Sequence, residues 1–411
     1  MKVAIIGAGA SGLASAQEFK SRGHQVTVFE QGSKPGGVWA YSAEEESDLL
    51  GKNVDTRVYS SLYEDLRTNL PTDLMAFKGF PFNSSGGGDD SWPRFPHHSS
   101  VYQYLMRYIE KYELESLIQC GARVERIQIE AGVWQVKILG RITESFDVVV
   151  VCSGHFSEPR LPEISGMSEF GGKMLHSHNY RRAEAYKGKS VAVLGCGASG
   201  ADIAQELLES AKQVIWAGFE EDHEPGKMML TTFPTCFTKT GFKTAKKQFD
   251  VDVILFCTGY RYELPFLPQG LLTVEDNFVS PLYRDIVHPD VPSLGFVGLP
   301  FLVVPFPLYA MQAKWFASCI DKDFDLPGGK QMLQACQDKQ AQLASRGIKR
   351  RHYHRLGLEQ ETYYNLLADE CHAPRMPEWF GELVLDAQKV RQAHPGNFRD
   401  VPLGVSRRVH L

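Results

Sequence analysis

Two copies of one glycine pattern, Gly-x-Gly-x-x-Gly, constrain this chain of 411 residues more than any other feature. The first copy spans residues 7–12 after the apolar run 3–6, and the second spans residues 195–200 after the apolar run 191–194. A stretch with helical spacing follows each copy, so both have the strand–turn–helix setting of a dinucleotide-binding unit. There the first glycine permits the tight turn, the second lets the backbone approach a pyrophosphate, and the third lets helix pack on strand. The helix N-terminus adds free N–H groups and a positive dipole end.

Two such units in one chain predict two bound dinucleotides, although a single copy would be weak support. The economical pair is a flavin and a nicotinamide, which indicates a redox enzyme with two cofactors. Glu30 ends the second strand of the first unit, eighteen residues after the last glycine, where an acid accepts hydrogen bonds from a ribose. The residues assigned to the two turns are Gly7, Gly9, Ala10, Ser11 and Gly12, and Gly195, Gly197, Ala198, Ser199 and Gly200.

The composition excludes several other classes of protein. The net charge is −5 and no long basic run occurs, so we expect no nucleic-acid partner. The eight cysteines form neither a Cys-x-x-Cys pair nor a zinc-like spacing with histidine, so we expect reduced thiols and no metal site. The first strand leaves no room for a signal peptide, no apolar run reaches ~18 residues, and the tail 405–411 is no anchor. We therefore expect a cytoplasmic protein without a membrane anchor, and no pattern indicates an oligomeric state.

The order of the units predicts the organisation of the fold. A chain of this length exceeds one typical core, and the similar segments 146–154 and 252–260 suggest the two crossings between an outer and an inserted domain. The predicted fold class is α/β with two Rossmann-like dinucleotide-binding domains, the NADP domain being inserted into the FAD domain. The FAD domain is predicted at 1–158 and 251–411, with a helical C-terminal region, and the inserted NAD(P) domain at 159–250. No chemistry is predicted after residue 320.

In this order, the motifs resemble those of the class B flavoprotein monooxygenases, specifically the flavin-containing monooxygenases. The specific element is the linker signature Phe-x-Gly-x-x-x-His-x-x-x-Tyr, which is complete at residues 170–180 with Phe170, Gly172, His176 and Tyr180. Glutathione-reductase-like enzymes also carry two nucleotide motifs but lack this signature. The resemblance extends from Met1 to roughly residue 315 and includes the segments 67–71, 258–260 and 311–315.

The resemblance implies that the cofactors carry the chemistry. NADPH, with NADH as the alternative donor, reduces FAD, and the reduced flavin forms a C4a-hydroperoxide with O2. The partner is then a small-molecule amine or sulfide, whose nucleophilic nitrogen or sulfur takes the distal oxygen. No side chain serves as a general base. Asn69 is implied as the catalytic side chain that hydrogen-bonds the nicotinamide and the oxygenated flavin, the alternative being a turn-capping asparagine.

Further positions are assigned to the cofactors. The turn 36–39 is expected at the carboxyl edge of the sheet, beside the flavin. Trp39 and Gln312 have rival interpretations as a core tryptophan and a capping glutamine, and His176 is expected to be structural. These further cofactor-binding positions are Gly37, Val38, Trp39, Thr68, Leu70, Val124, Thr258 and Gln312.

One departure from the family pattern concerns the nicotinamide cofactor. The family places an arginine just after the second strand of the NADP unit, where it pairs with the 2′-phosphate. Here that position is Trp216-Ala217-Gly218, and no basic residue occurs before Lys227. The candidates to replace the arginine are Lys239, Lys243, Lys246 and Lys247.

Three alternatives remain at this point. A Baeyer–Villiger monooxygenase, which acts on ketones, usually has Trp where this signature has Tyr180. A pyridine-nucleotide disulfide reductase would need the absent Cys-x-x-Cys pair. A non-catalytic FAD- and NADP-binding redox protein is favoured only by the missing arginine and by the short segment 218–250.

Overall fold

A computed structural model describes residues 1–53, 57–224 and 226–404, and the tail 405–411 discussed above lies outside the described residues. The strands, numbered in chain order, are β1 Lys2–Ile6, β2 Gln25–Phe29, β3 Ile118–Gln119, β4 Val124–Glu130, β5 Val133–Ile138, β6 Glu144–Phe146, β7 Val148–Val151, β8 Glu158–Pro159, β9 Lys173–His176, β10 Ser190–Leu194, β11 Gln213–Ala217, β12 Met228–Thr231, β13 Cys236–Thr238, β14 Gly241–Lys243, β15 Gln248–Asp250, β16 Val253–Phe256, β17 Tyr260–Arg261, β18 Thr273–Glu275, β19 Phe278–Ser280 and β20 Leu294–Phe296. The helices are α1 Ala10–Ser21, α2 Thr72–Met75, α3 His98–Lys111, α4 Ala198–Ser210, α5 Pro305–Asp321, α6 Gly329–Ser345, α7 Gln360–Glu370 and α8 Glu378–Ala393.

Two parallel sheets of five strands organise the molecule. The first has the order β20-β7-β1-β2-β3 and the second β12-β11-β10-β16-β9. The first sheet takes strands from both sides of the second along the chain, so the fold is α/β with one Rossmann-like unit inserted into another. After their first residues, Lys2 and Ser190, both central strands β1 and β10 are apolar and buried because a parallel sheet is covered on both faces.

Alternation along the central strands distributes residues between two cores. In β1, Val3 and Ile5 pack on the side of α1 and α5, whereas Ala4 and Ile6 pack on the side of the antiparallel sheet β4-β5-β6. In β10, Val191 and Val193 face α4 and the linker, while the alternate residues face the antiparallel sheet β13-β14-β15. Because side chains alternate along a strand, each large sheet has one face covered by helices and one face covered by a small antiparallel sheet.

The boundary predicted at 250/251 is wrong. Strand β16, Val253–Phe256, pairs in parallel with β10 and with β9, so it is an inner strand of the second sheet. The inserted unit thus extends to at least Phe256. The first strand pair after that point is β17 with β8, Tyr260 opposite Pro159, where the two chain crossings lie side by side.

The C-terminal region is helical, as expected. Helix α7 packs on α5, and α8 packs on α2 in a cluster that includes Leu74, Phe380, Leu383 and Phe398. Within the described part of the chain, no helix combines the length and the apolar character needed to cross a membrane. In the same residues, no group of His, Cys, Asp and Glu side chains is suited to a metal ion. All eight cysteines lie in the described ranges and are free thiols.

Leu255→Ala tests the corrected boundary. Leu255 is fully buried in β16 and lies beside Val193 of β10, so the cavity should cost about 2–5 kcal/mol of unfolding free energy in the inserted unit. In a urea titration we expect NADP⁺ binding to be lost at lower urea than in the wild type, while flavin release, followed by fluorescence, keeps its midpoint. An equal shift of flavin release would contradict the assignment of β16 to the inserted unit.

Candidate active site

The first glycine turn is closed by backbone contacts that leave no room for side chains. Gly7 has φ +106°, and a Cβ there would lie 2.4 Å from the carbonyl oxygen of Cys152. A Cβ on Gly12 would lie 1.9 Å from the carbonyl oxygen of Gly7. These two positions accept only glycine, so the N-terminus of α1 is held tightly against the end of β1.

The second glycine of this turn faces another glycine turn, which follows β2. Gly9 is the N-cap of α1, and a Cβ on Gly37, which has φ +57°, would lie 2.8 Å from the Gly9 Cα. The Gly36 N–H donates to the Ala8 carbonyl at 2.9 Å. Residues 37–39 form a short 3₁₀ turn, so the predicted positions Gly37, Val38 and Trp39 are placed beside the first turn.

Glu30 connects the end of β2 to the same turn. The side chain is buried, and its Oε2 accepts from the Ala8 N–H at 2.8 Å while Oε1 accepts from the Gly32 N–H at 2.7 Å. Each carboxylate oxygen has a further lone pair, so the group is also suited to accept from ribose hydroxyls. Two turns and an acid thus converge on one face of α1, as an adenine dinucleotide requires.

The second glycine motif repeats this geometry. A Cβ on Gly195, which has φ +124°, would lie 2.3 Å from the Cys257 carbonyl oxygen, and one on Gly200 would lie 2.0 Å from the Gly195 carbonyl oxygen. At Gly197 no atom lies within 4 Å of the Cβ position. The backbone at the start of α4, including Ala198 and Ser199, is exposed, which fits the close approach of a second dinucleotide.

The segment 67–70 carries the predicted catalytic residue. The Thr68 hydroxyl donates to the Leu70 carbonyl at 2.8 Å, and the Thr68 N–H donates to the Pro96 carbonyl at 2.9 Å. Thr68 therefore holds the turn that Asn69 was expected to cap under the alternative interpretation. The side-chain amide of Asn69 has no hydrogen-bond partner among the described residues, so it is available to a ligand.

Gln312 is engaged at both ends within the protein. Its Oε1 accepts from the Gly298 N–H at 3.0 Å, its Nε2 donates to the Tyr363 hydroxyl at 2.8 Å, and the side chain is fully buried. A Cβ on Gly298, which has φ +100°, would lie 3.4 Å from the Ser11 Cβ. The glutamine therefore positions Gly298 against the first turn of α1.

The remaining predicted cofactor residues lie at the edges of this region. The Val124 side chain is buried in the apolar cluster of β4 to β6, two residues after Ala122, whose N–H donates to the Glu30 carbonyl at 2.8 Å. The Thr258 hydroxyl donates to the Arg160 carbonyl at the chain crossing. In the structure both side chains therefore contact the polypeptide itself.

The histidine of the linker signature is structural in its contacts. His176 is fully buried, its Nδ1 accepts from the His178 N–H at 3.1 Å, and burial lowers the pKa of His176 to about 3. The imidazole is therefore neutral at physiological pH. Tyr180 packs against Tyr63 and Tyr186, with ring centroids 5.5 and 5.6 Å apart. The signature thus fixes the edge of the inserted unit.

The end of β11 confirms that no basic residue follows this strand directly. The Trp216 indole donates to the Gly195 carbonyl at 2.9 Å, and Gly218, with φ +130°, lies against Cys196, whose Sγ would be 2.9 Å from an added Cβ. The next charged residues are the acids Glu220, Glu221 and Asp222. Of the four candidate lysines, Lys247 pairs with Glu224 at 3.0 Å, and all four are exposed on the β13–β15 sheet or its turns.

The sequence did not predict the contacts of Arg399, which join the C-terminal region to the segment 67–68 and to α4. Arg399 donates to the carbonyls of Thr68 and Arg67 at 2.9 and 3.2 Å and to the Asp202 carboxylate at 2.5 Å. Asp202 lies in the first turns of α4 and also accepts from the Tyr63 hydroxyl at 3.2 Å. We call these contacts the Arg399 clamp. It ties the segment carrying Asn69 to the second dinucleotide turn.

Two glycine turns of this geometry, each at the start of a helix, define the class of flavoproteins that use a flavin and a nicotinamide together. The comparisons specify the family. The family model described as flavin-binding monooxygenase-like matches residues 1–223 and 225–373. Two similar proteins from Arabidopsis thaliana are the flavin-containing monooxygenases FMO GS-OX-like 3 and 4, at 35% and 36% identity over 97% of this chain and 93% of each relative.

Solved structures agree with this assignment. The S-allyl-L-cysteine S-oxygenase from Allium sativum is 38% identical, with a TM-score of 0.93 and coverage of 97% of this chain and 95% of that protein. Tmm from Pelagibacter, at 24% identity and a TM-score of 0.84, shares the fold. The chain belongs to the flavin-binding monooxygenase family. It is a monooxygenase that uses FAD and NADP(H), with O2 as co-substrate.

Gly9→Leu tests the first cofactor site. A Cβ at residue 9 would already lie 3.5 Å from the Gly37 Cα, so a larger side chain must occupy the space where a pyrophosphate meets the backbone. We expect purified Gly9→Leu protein to be colourless, measured as the ratio of visible flavin absorbance to protein absorbance. The control is Gly23→Asn in the same unit, where φ is +79° and no atom lies within 4 Å of the Cβ position. Full flavin content in Gly9→Leu would exclude this turn as the FAD site.

Glu206→Gln tests the effect of a largely buried carboxyl group on α4. Burial raises the pKa of Glu206 from 4.5 to about 7, so the folded state favours the protonated form. The stability that this protonation contributes is complete below pH 4.5 and is lost as the pH rises through 7. Glutamine keeps the neutral form, so we expect Glu206→Gln to be more stable than wild type above pH 7 by about 1–3 kcal/mol, and equal to it at low pH. Urea midpoints at several pH values measure this, with the exposed Glu209→Gln as control, and a constant difference across pH would contradict it.

Proposed function

We propose that this monooxygenase oxygenates the sulfur of a small thioether. The observation that carries the proposal is the 38% identity to an S-allyl-L-cysteine S-oxygenase across nearly the whole of both chains. The balanced reaction converts a thioether, O2, NADPH and a proton into a sulfoxide, water and NADP⁺. One oxygen atom enters the substrate, the other leaves as water, and NADPH supplies the two electrons. Nitrogen, the other nucleophile expected from the sequence, is the competing acceptor in the test below.

FAD, when bound and reduced, supplies the activation of O2, so the protein contributes position and polarity. The glycine turns at residues 7–12 and 195–200 would hold the diphosphates of the two cofactors. Each turn leads into the N-terminus of a helix, α1 or α4, whose free N–H groups bind anions. Glu30 would accept from the ribose hydroxyls of FAD. His176, the conspicuous histidine of the sequence, is neutral and engaged with backbone, so we assign no proton transfer to it.

Asn69 is the side chain that we assign to the reacting region. Its amide offers two donors and one acceptor without a charge. Arg399 holds the Thr68 carbonyl on the N-terminal side of Asn69, and the Thr68 hydroxyl holds the Leu70 carbonyl on its C-terminal side. A fixed donor beside developing negative charge lowers a barrier because no reorganisation is needed during the reaction. We infer that the Asn69 amide would orient the nicotinamide and would hydrogen-bond the flavin when both cofactors are bound.

The substrate class is tested with a panel of thioethers, tertiary amines and ketones. Purified holoprotein is supplied with NADPH and O2, and the products are identified by mass spectrometry. We expect a mass gain of one oxygen atom with thioethers, faster NADPH oxidation in their presence, and a smaller response with amines. Ester formation from ketones without sulfoxide formation would instead identify a Baeyer–Villiger enzyme.

Asn69→Leu tests the catalytic assignment. Leucine is similar in size and removes both hydrogen-bond functions, so we expect bound FAD with thioether oxygenation reduced by a factor on the order of a hundred or more, since one such donor is typically worth about 2.7–4 kcal/mol. NADPH oxidation should continue and release hydrogen peroxide in place of sulfoxide. The measurement is the ratio of sulfoxide to NADPH consumed.

The matched control is Asn83→Leu in the surface loop 83–91, where the asparagine Oδ1 accepts from the Ser85 N–H and hydroxyl at 3.0 and 2.6 Å. We expect the control to couple like the wild type. If Asn69→Leu also oxygenates thioethers at the wild-type rate and coupling, Asn69 is a turn residue and the assignment is wrong.

A further inference from the structure

A cavity of about 350 Å³ lies between the second glycine turn and the C-terminal helix α8. On one side it is lined by Cys196, Ala201 and Asp202, and on the other by Gln388, Arg391 and Gln392. Cys196 is inside the glycine motif and Asp202 is two residues beyond its last glycine. The cavity therefore opens onto the start of α4, where the nicotinamide dinucleotide places its phosphates.

The wall formed by α8 and the segment after it is fixed against α4. Arg399 pairs with Asp202 at 2.5 Å, and the buried ring of Phe398 lies under the guanidinium groups of Arg391 and Arg399, at 5.4 and 4.5 Å. A Cβ on Gly396 would lie 3.6 Å from the Gln205 Oε1 of α4. Arg391 therefore lies against a ring that belongs to this fixed wall.

In the part of the chain that the structure describes, the side chains that line this cavity leave one positive charge without a carboxylate partner. Asp202 is the carboxylate of the lining, and it is neutralised by Arg399 and hydrogen-bonded by the Tyr63 hydroxyl. No carboxylate pairs with Arg391 in residues 1–53, 57–224 or 226–404, where its guanidinium lies over the uncharged ring of Phe398. One guanidinium charge is therefore left at the cavity, beside the amide side chains of Gln388 and Gln392.

The end of β11, where the family has an arginine, lacks this cation. The acids Glu220, Glu221 and Asp222 follow β11, and Lys247, one of the candidate replacements, is paired with Glu224. We propose that Arg391 binds a phosphate group of the nicotinamide dinucleotide, either in its diphosphate or at its 2′ position. This proposal rests on the assignment of residues 195–200 to NADP(H) and not on the identity of the oxygenated substrate. A guanidinium is suited to the role because its planar donors match the oxygens of a phosphate.

Arg391→Gln tests the proposal by equilibrium binding. The ligands are NADP⁺, NAD⁺, ADP-ribose and 2′,5′-ADP, titrated calorimetrically into FAD-loaded protein at one fixed salt concentration. A charge-assisted contact to phosphate is worth a change of about ten- to a hundredfold in Kd. We expect NADP⁺ to bind more weakly by this factor, with partial recovery in Arg391→Lys, and flavin content and melting temperature to stay at wild-type values.

The panel distinguishes the two phosphate sources. An equal loss for NADP⁺, NAD⁺ and ADP-ribose places Arg391 at the diphosphate, and a loss confined to NADP⁺ and 2′,5′-ADP places it at the 2′-phosphate. The control is Lys389→Gln, an exposed cation on α8 outside the cavity lining, which should bind every ligand like the wild type. Wild-type affinity of Arg391→Gln for all four ligands, or an equal loss in Lys389→Gln, would overturn the proposal. Sulfoxide formation is measured separately, so failure of the proposed function does not decide this binding result.

Discussion

The fold depends on two places where backbone meets backbone without a side chain between. At the turn after β1, Cβ positions on Gly7 and Gly12 would lie 2.4 and 1.9 Å from carbonyl oxygens, and at the turn after β10 the corresponding distances are 2.3 and 2.0 Å. These contacts place the first turn of each helix against the end of its strand. Because the helix N–H groups point along the axis, the same contacts direct the N-termini of α1 and α4 toward the positions that we propose for the two cofactors. The carbonyls that close both turns belong to cysteines at the ends of β7 and β16.

The sequence predicted the two turns correctly because the conformation of such a turn depends mainly on the glycines within six consecutive residues. The domain boundary failed for the opposite reason. The run at 253–256 is apolar and buried in either sheet, and its membership is decided by hydrogen bonds to β10 and β9, which are distant in sequence. An apolar strand identifies itself as buried but does not identify its neighbours.

The assignment of roles within the site was limited by another physical ambiguity. The motifs predicted Thr68 and Gln312 as cofactor-binding residues, but in the structure their polar atoms hold Leu70 and Gly298, whereas the amide of Asn69 has no partner among the described residues. A polar residue beside a cofactor serves either the ligand or the backbone that surrounds it, and composition does not separate these uses. Arg399 escaped prediction altogether, because its partners are 197 and 331 residues away and no motif surrounds it.

The Arg399 clamp also gives this polypeptide an order of maturation. A ribosome synthesises the chain from the N-terminus to the C-terminus. Thr68 therefore emerges first, Asp202 of α4 emerges later, and Arg399 emerges 197 residues after Asp202. Until then, the Asn69 segment lacks the hydrogen bonds through which Arg399 joins it to α4. A nascent chain can therefore assemble its two glycine turns one after the other, but the segment that would face both cofactors gains its final anchorage only after α8 has been synthesised.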